Sequence, residues 1–510
     1  MRRLVAFALL TAACNGGGRG DGDTGAPIDL DDPILDPEAC EECHPKHFAQ
    51  WQGSMHAYAA EDPVFRAMNA RGQRETNGEL GDFCISCHAP LAVRLGLTED
   101  GLNLDEIPRK FHGVTCYFCH DATDVTDSHN APIELAWDGI MRGNVTDPAP
   151  NDFHDAAYSA RQDGRFLATG NLCGACHDIV TPKGVHLERT YAEWLASFYS
   201  RPDPLDPQRP DQTKFGQTCP QCHMSTDPET TVIADYEGVP GNRKYHDHRM
   251  VGVDVALTPF PDPATAPMYE GDQRAAIDDV RKSVLCGSLC VRQGDAGPEI
   301  VVWLHNETAG HNWPSGATQD RRAWVELVAT KAGDEVLLES GVVDDATPVA
   351  TLDDPNLWLL RDRIFDEQGE EVHMFWEAAS YESKQLPVAT TFFGDATTWQ
   401  KRVYPVAEMP EEVRIRVRLR PMGLEVLEDL VASGDLDPAI VARMETFDVP
   451  PVTLTYTTQA AEPSETYGSC VHSGDVCRSP FTDCTRLSSA ELCAMEPACT
   501  FQDGTCQPAP

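Results

Sequence analysis

Apolar positions along this chain change their spacing near residue 299, and the change divides the sequence into regions of different build. Between residues 38 and 255 aliphatic runs are short and periodic stretches are brief. Asp36 followed by Pro37 reads as an N-cap with proline at the first helical position. Thr190 and Glu193 read as a capping box for a helix that places Tyr191, Trp194, Leu195 and Phe198 on one face. Loops predominate elsewhere, and the side chains alone do not furnish a conventional core for a region of this size. Something else must fill its interior.

From Glu299 the pattern alternates. Val302 and Leu304, then Trp324 to Val328 and Val336 to Leu338, read as strands with a hairpin through Ala332, Gly333 and Asp334. Val413 to Arg420 is apolar on one face and carries Arg414, Arg416, Arg418 and Arg420 on the other, and Pro451 to Thr458 adds a further strand. Several such strands predict a β-sandwich over residues 299–460, with a helical insert around Leu424 to Met444. Residues 256–298 read as a connecting segment. The arginine face suits an acidic surface or solvent.

The two ends follow neither pattern. Arg2 and Arg3 precede an apolar stretch from Leu4 to Ala13, and Ala12-Ala13 stand directly before Cys14. Residues 1–13 therefore read as an export signal of lipoprotein type, with Cys14 acylated. Thr11 stands where an aliphatic residue is usual, so cleavage by ordinary signal peptidase is the alternative. The stretch is too short to span a bilayer, and no other segment approaches that length. Residues 14–37 read as an acidic tether rich in Gly, Asp and Pro. Its Asp21 and Asp23 lack the remaining ligands of a calcium loop, so no calcium is expected. Residues 461–510 carry six cysteines and too little apolar mass to fold alone, which predicts a disulfide-stapled module.

Charge and cysteine content narrow the chemistry. With 81 Asp and Glu against 40 Lys and Arg over 510 residues, the formal charge is −41. Nothing here neutralises phosphates in bulk, so nucleic acid is excluded as a partner. Ten of the 19 cysteines form five C-x-x-C-H motifs: Cys40, Cys43 and His44; Cys84, Cys87 and His88; Cys116, Cys119 and His120; Cys173, Cys176 and His177; Cys219, Cys222 and His223. Two thiols three residues apart can each form a thioether to one vinyl group of a haem, and the adjacent histidine reaches the iron. Zinc sites would take C-x-x-C units two by two and leave one over. A dithiol redox pair has no need of a following histidine each time. Five c-type haems are the expectation, with His44, His88, His120, His177 and His223 as proximal iron ligands. Large apolar haems also fill the interior that side chains leave empty.

Haem attachment and lipidation leave eight cysteines: Cys286, Cys290, Cys470, Cys477, Cys484, Cys493, Cys499 and Cys506. The last six allow fifteen pairings, and Cys286 would then pair with Cys290.

Several longer strings accompany the motifs. They are Trp51 to His56, His154 to Tyr158, Thr190 to Ser197, Cys219 to Met224, Asp247-His248-Arg249 and Asn306 to Gly316. Over roughly residues 38 to 345 this set resembles bis-histidine multihaem cytochromes related to the nitrifiers' tetrahaem electron carrier. The resemblance implies His56, His154, His248 and His311 as distal ligands. His112 is the fifth candidate, with His246 and His129 as competitors. For each the other reading is a surface or hydrogen-bonding histidine. Ligation by His311 would tie the β-region to the haem region, the alternative being a turn histidine beside Pro314 and Gly316. Met55 and Met224 read as packing residues. The same four arginines could meet haem propionates.

The function expected is electron transfer between redox proteins, basic or membrane-bound, by an exported periplasmic or cell-surface lipoprotein. The excess acid would steer such a partner, or would serve solubility alone. One alternative is an oxidoreductase acting on a small nitrogen or sulfur compound at a haem with an open axial position. Another is a binding module, docked through the sandwich or the Cys-rich tail. No catalytic residue is assigned.

Overall fold

The computed structural model describes residues 28–508, except 144, 152, 164–169, 201–216, 391–397, 465–467, 474–498 and 503. The signal, Cys14, the calcium-like Asp21 and Asp23, and Cys477, Cys484 and Cys493 lie outside the described residues. No described helix is long and apolar enough to cross a membrane.

The N-terminal region is built from short helices, several of them started by a side-chain cap. Asp36 accepts from the Glu38 amide ahead of Pro37–Cys40, and Asp62 caps Pro63–Glu75 by accepting from Val64. Thr115 accepts from the Phe118 amide ahead of Cys116–His120, and the Gln221 side chain accepts from the Thr218 amide at 2.8 Å at the start of Cys219–His223. Thr190 and Glu193 do not cap. The helix Thr190–Ala196 begins after Arg189, which makes no side-chain cap bond. Its Thr190 and Glu193 side chains instead bond Ser315 in the later region, at 2.8 and 2.6 Å. Tyr191, Trp194 and Phe198 are buried, whereas Leu195 faces solvent.

The later region is rich in sheet. Its main strands are β1 (Leu285–Gly294), β2 (Gly297–Asn306), β3 (Arg322–Lys331), β4 (Glu335–Ser340), β5 (Trp358–Leu360), β6 (Gln400–Pro405), β7 (Glu412–Arg420), β8 (Phe447–Thr457), β9 (Glu462–Ser464) and β10 (Gly468–His472). One sheet runs β6-β2-β1-β10-β9 and another β4-β3-β7-β8, with β5 also on β3. Alternate residues of both sheets meet in one buried cluster. Leu289, Ile300, Val302 and Tyr404 come from the first, and Val325, Leu327, Ile415, Val417 and Leu454 from the second.

Two boundaries move. Strand β1 and the helix Ala266–Arg281 occupy the stretch read as a connector, and β10 lies beyond residue 460 yet pairs with β1. An unbroken buried run in β1 hides its alternation, because both of its faces are covered. The expected Cys286–Cys290 bond is not formed. Four residues along one strand separate their Cα atoms by roughly 13 Å, beyond disulfide reach. Cys290 is bonded across the sheet to Cys470, and Cys286 is disulfide-bonded as well.

The arginine face of β7 is engaged by other parts of the chain along most of its length. Arg416 is bidentate to Glu326 at 2.7 and 2.9 Å, and Arg418 reaches Asp345 at 3.1 Å. Arg420 is fully buried and donates to the carbonyls of Asp345 and Thr347. Only Arg414 projects into water, beside Glu412.

A seam joins the two regions. Leu424, Leu427 and Leu430 of the helix Leu424–Ala432 pack on Val64 and Ala67 of Pro63–Glu75. Arg74 meets Asp435 at 2.5 and 2.6 Å, and Arg189 meets Asp362 at 2.6 Å.

Candidate haem-ligating site

One helical turn explains the attachment motifs. From the first cysteine to the histidine of Cys116–His120 or Cys219–His223, residues i, i+3 and i+4 project from one helix face. Thiols of different motifs lie side by side. Cys40 is a hydrogen-bonding neighbour of Cys116, Cys87 of Cys176, and Cys173 of Cys219. Cys119 lies within electrostatic reach of Cys173.

Four motif histidines each face a second imidazole. His44 faces His154 at 6.3 Å between ring centres, His120 faces His248 at 6.5 Å, His223 faces His311 at 6.5 Å, and His177 faces His56 at 6.1 Å. A metal held about 2 Å from a nitrogen of each ring puts the ring centres roughly 6 Å apart. The rings of the first three pairs are near parallel, at 28°, 15° and 13°, and those of the fourth are turned by 65°.

Hydrogen bonds fix which nitrogen is free. The Nδ1–H groups of His44, His88, His120 and His223 donate to the carbonyls of Ile233, Ala59, Arg142 and Val251 at 2.6 to 3.0 Å. Those of His248 and His311 donate to His246 and Asn312, each at 2.8 Å. In all six, the Nε2 lone pair is left for iron, and the bond to the carbonyl raises the basicity of the ring. His56 points Nδ1 at the Met250 sulfur, while His154 is the exception, its Nδ1 facing the Asn151 amide at 3.3 Å. Burial keeps the rings neutral, as ligation requires. It pushes His56 down to about 3 and His177, His248 and His311 down to about 4, and it lowers His44, His88, His120 and His154 as well.

His112 is not brought to any opposing ring. Its Nδ1 pairs with Glu61 at 2.7 Å and its Nε2 meets the Leu104 carbonyl at 3.1 Å, so neither nitrogen is left for a metal. Of the competitors, His246 turns its Nδ1 to the Met224 carbonyl and His129 lies near Asp127. Among the described residues no second histidine ring packs against that of His88, which lies within electrostatic reach of His56 and His177. The ring of Phe65 lies on it instead, at 3.9 Å and 5°. Met55 packs against Ala57, Tyr58 and Phe260.

Two residues escaped the sequence reading. His47 lies 5.5 Å from His44 and 4.8 Å from His248, ring to ring, and its place three residues after a motif histidine was the available signal. Gly113 holds φ +71°, and a Cβ there would meet the His56 carbonyl at 2.5 Å, so the His56 backbone depends on a glycine opposite it. No sequence pattern announced that contact. No group of three or more acidic, histidine or cysteine side chains among the described residues is arranged to hold a bare metal ion. The donors come in facing pairs with attachment thiols beside them, which fits iron carried in a macrocycle.

Residues 39–121, which span the first three motifs, match the family model described as cytochrome c554 and c-prime. The N-terminal region is a multihaem c-type cytochrome domain. The fold of the chain is similar to the crystal structure of a penta-heme cytochrome c552 from Thermochromatium tepidum, with a TM-score of 0.54 and 19% identity. That match covers 83% of this chain and 99% of the other, so it takes in the sheet-rich region as well as the cytochrome domain. No curated protein matches the sequence.

Proposed function

We propose that this cytochrome is an exported electron carrier with five covalent haems, four held between two histidines and one with its second axial position open. The four opposed imidazole pairs carry the reading. Bound between two imidazoles, haem iron supplies reversible one-electron chemistry at low potential. The chain supplies thiols at vinyl spacing, neutral rings with a directed Nε2, and attachment sites that adjoin one another. The thiol neighbours support a branched path: first motif to third, third to fourth, and from the fourth to the second and the fifth.

Export agrees with haem attachment and with the Cys290–Cys470 bond, both chemistries of compartments outside the cytoplasm. An acylated Cys14 would place the protein on a periplasmic or cell-surface membrane. The two sheets with their shared core read as a β-sandwich, and the tail after β10 as a disulfide module stapled to it. A haem count from the pyridine haemochrome, with the intact mass, tests the cofactor claim. Five haems per chain support it, and any other number overturns it. Loss of fatty-acid labelling in Cys14→Ser tests the anchor.

A second reading, an oxidoreductase acting on a small nitrogen or sulfur compound, is favoured by one observation. Among the described residues no second histidine ring packs against His88, and the candidate that would have closed its site is bound to Glu61 and Leu104. Nitrite, cyanide and carbon monoxide titrations with turnover assays separate the two readings. Ligand binding without turnover keeps the carrier, and turnover replaces it with the enzyme.

A further inference from the structure

We infer that the rim of the first attachment motif is the docking surface for a basic redox protein. The inference rests on the electron-transfer reading and adds to it the place where electrons enter or leave. The first motif lies at an end of the thiol path, with the third as its neighbour. Its own Cys–Cys loop holds two exposed carboxylates, Glu41 and Glu42, where the other four motifs hold Ile-Ser, Tyr-Phe, Gly-Ala and Pro-Gln. Beside it stands an exposed aromatic pair. Phe153, next to the ligand candidate His154, is 63% exposed, and Tyr236 is 45% exposed, with the rings edge to face at 5.1 Å.

The segment carrying Tyr236 is pinned to the motif. The Ile233 carbonyl accepts from His44 Nδ1 at 3.0 Å, and the Asp235 amide donates to the Cys43 carbonyl at 2.7 Å. Asp235 and Glu237, on either side of Tyr236, are both exposed. Lys46, the nearby cation, is paired with Asp227 at 3.2 Å. Large aromatic side chains left in water beside a redox site, with a charged rim, have the anatomy of an interface core and its border. The rim is negative, so the complementary partner carries lysines around its own redox centre. A second copy of this chain would bring acid against acid and is disfavoured by the same charges.

The test uses the haem-loaded protein and a small lysine-rich cytochrome c as the basic probe, both oxidised, with affinity measured by calorimetry at low ionic strength. The expected result is binding that weakens as salt rises. Glu42→Lys with Glu237→Lys should weaken it by about tenfold or more and flatten the salt dependence. Tyr236→Ser should weaken it several-fold and leave the salt dependence in place. Glu408→Lys with Glu411→Lys, an equal charge change near the strand β7, should leave the affinity unaltered. No binding by the parent protein, parent-like binding by both rim variants, or equal loss in the distant pair would each overturn the surface. Electron exchange is read separately by stopped flow, with this chain reduced and the probe ferric, the downhill direction for a low-potential donor. If binding follows the expected pattern while this chain stays reduced, the carrier reading falls and the docking surface stands.

Discussion

Replacing His311 with alanine removes the ligand that the proposal assigns from the sheet-rich region to a site in the N-terminal region. Its ring lies 6.5 Å from that of His223, at 13°, and its Nδ1–H is spent on the Asn312 carbonyl at 2.8 Å. His311 opposes one of five motif histidines, so the change is bounded. A high-spin signal equal to about one haem in five should be added to that of the open haem, the others keeping their spectra. Truncating a buried side chain of this size costs about 2–4 kcal/mol. The seam keeps Arg74–Asp435, Arg189–Asp362 and Thr190–Ser315, so the two regions should stay joined. Low-temperature paramagnetic resonance, with and without added imidazole, is the assay. Imidazole should enter the vacated volume and restore the low-spin signal. An unchanged spectrum would refute the assignment, and loss of low-spin signal from several haems at once would show His311 to be a folding residue instead.

Gly113→Ala should act on a different haem without touching a ligand, because the new Cβ collides with the His56 carbonyl; a high-spin signal at the His177 site, seen by the same resonance measurement, checks it. His112→Gln should leave every spin state unaltered. That substitution also has a pH signature. Glu61 is held below the usual carboxylate range by its bond to His112, aided by Arg66 and Arg109. Its contribution to stability is present above the ordinary carboxylate pKa and is lost as pH falls through the depressed folded value. Denaturant titrations should therefore show a smaller loss of stability at acid pH for His112→Gln than for the parent. Cys290→Ser with Cys470→Ser opens a loop of 180 residues and should cost about 2–4 kcal/mol, read from chemical denaturation, while non-reducing peptide mapping of the parent shows the two cysteines linked.

The haem-bearing side of the molecule was legible in sequence because its chemistry is local. The attachment motifs are contiguous, and the missing aliphatic core marked the same stretch. The histidines opposite His44, His120, His177 and His223 lie far along the chain, and only resemblance to longer strings pointed to them. His112 misled for a physical reason: a histidine four residues before a motif is indistinguishable from a ligand until Glu61 and the Leu104 carbonyl are seen on its two nitrogens. The sheets declared themselves where apolar and polar residues alternate, as in β7. Strand β1 is buried on both faces and showed no alternation. Its cross-strand partner β10 sits 180 residues away, so the Cys290–Cys470 link could not be read from spacing. The four arginines of β7 were visible as a stripe, but Glu326, Asp345 and the loop that covers Arg420 come from other elements.

The central claim is that four irons sit between two histidines and one does not. Quantified paramagnetic resonance of the oxidised, haem-loaded protein, with a carbon monoxide titration of the reduced form, addresses it most directly. The account predicts four low-spin haems and one high-spin haem per chain, with carbon monoxide taken up by one haem and that haem retained in His112→Gln. Five low-spin haems and no carbon monoxide binding would contradict it.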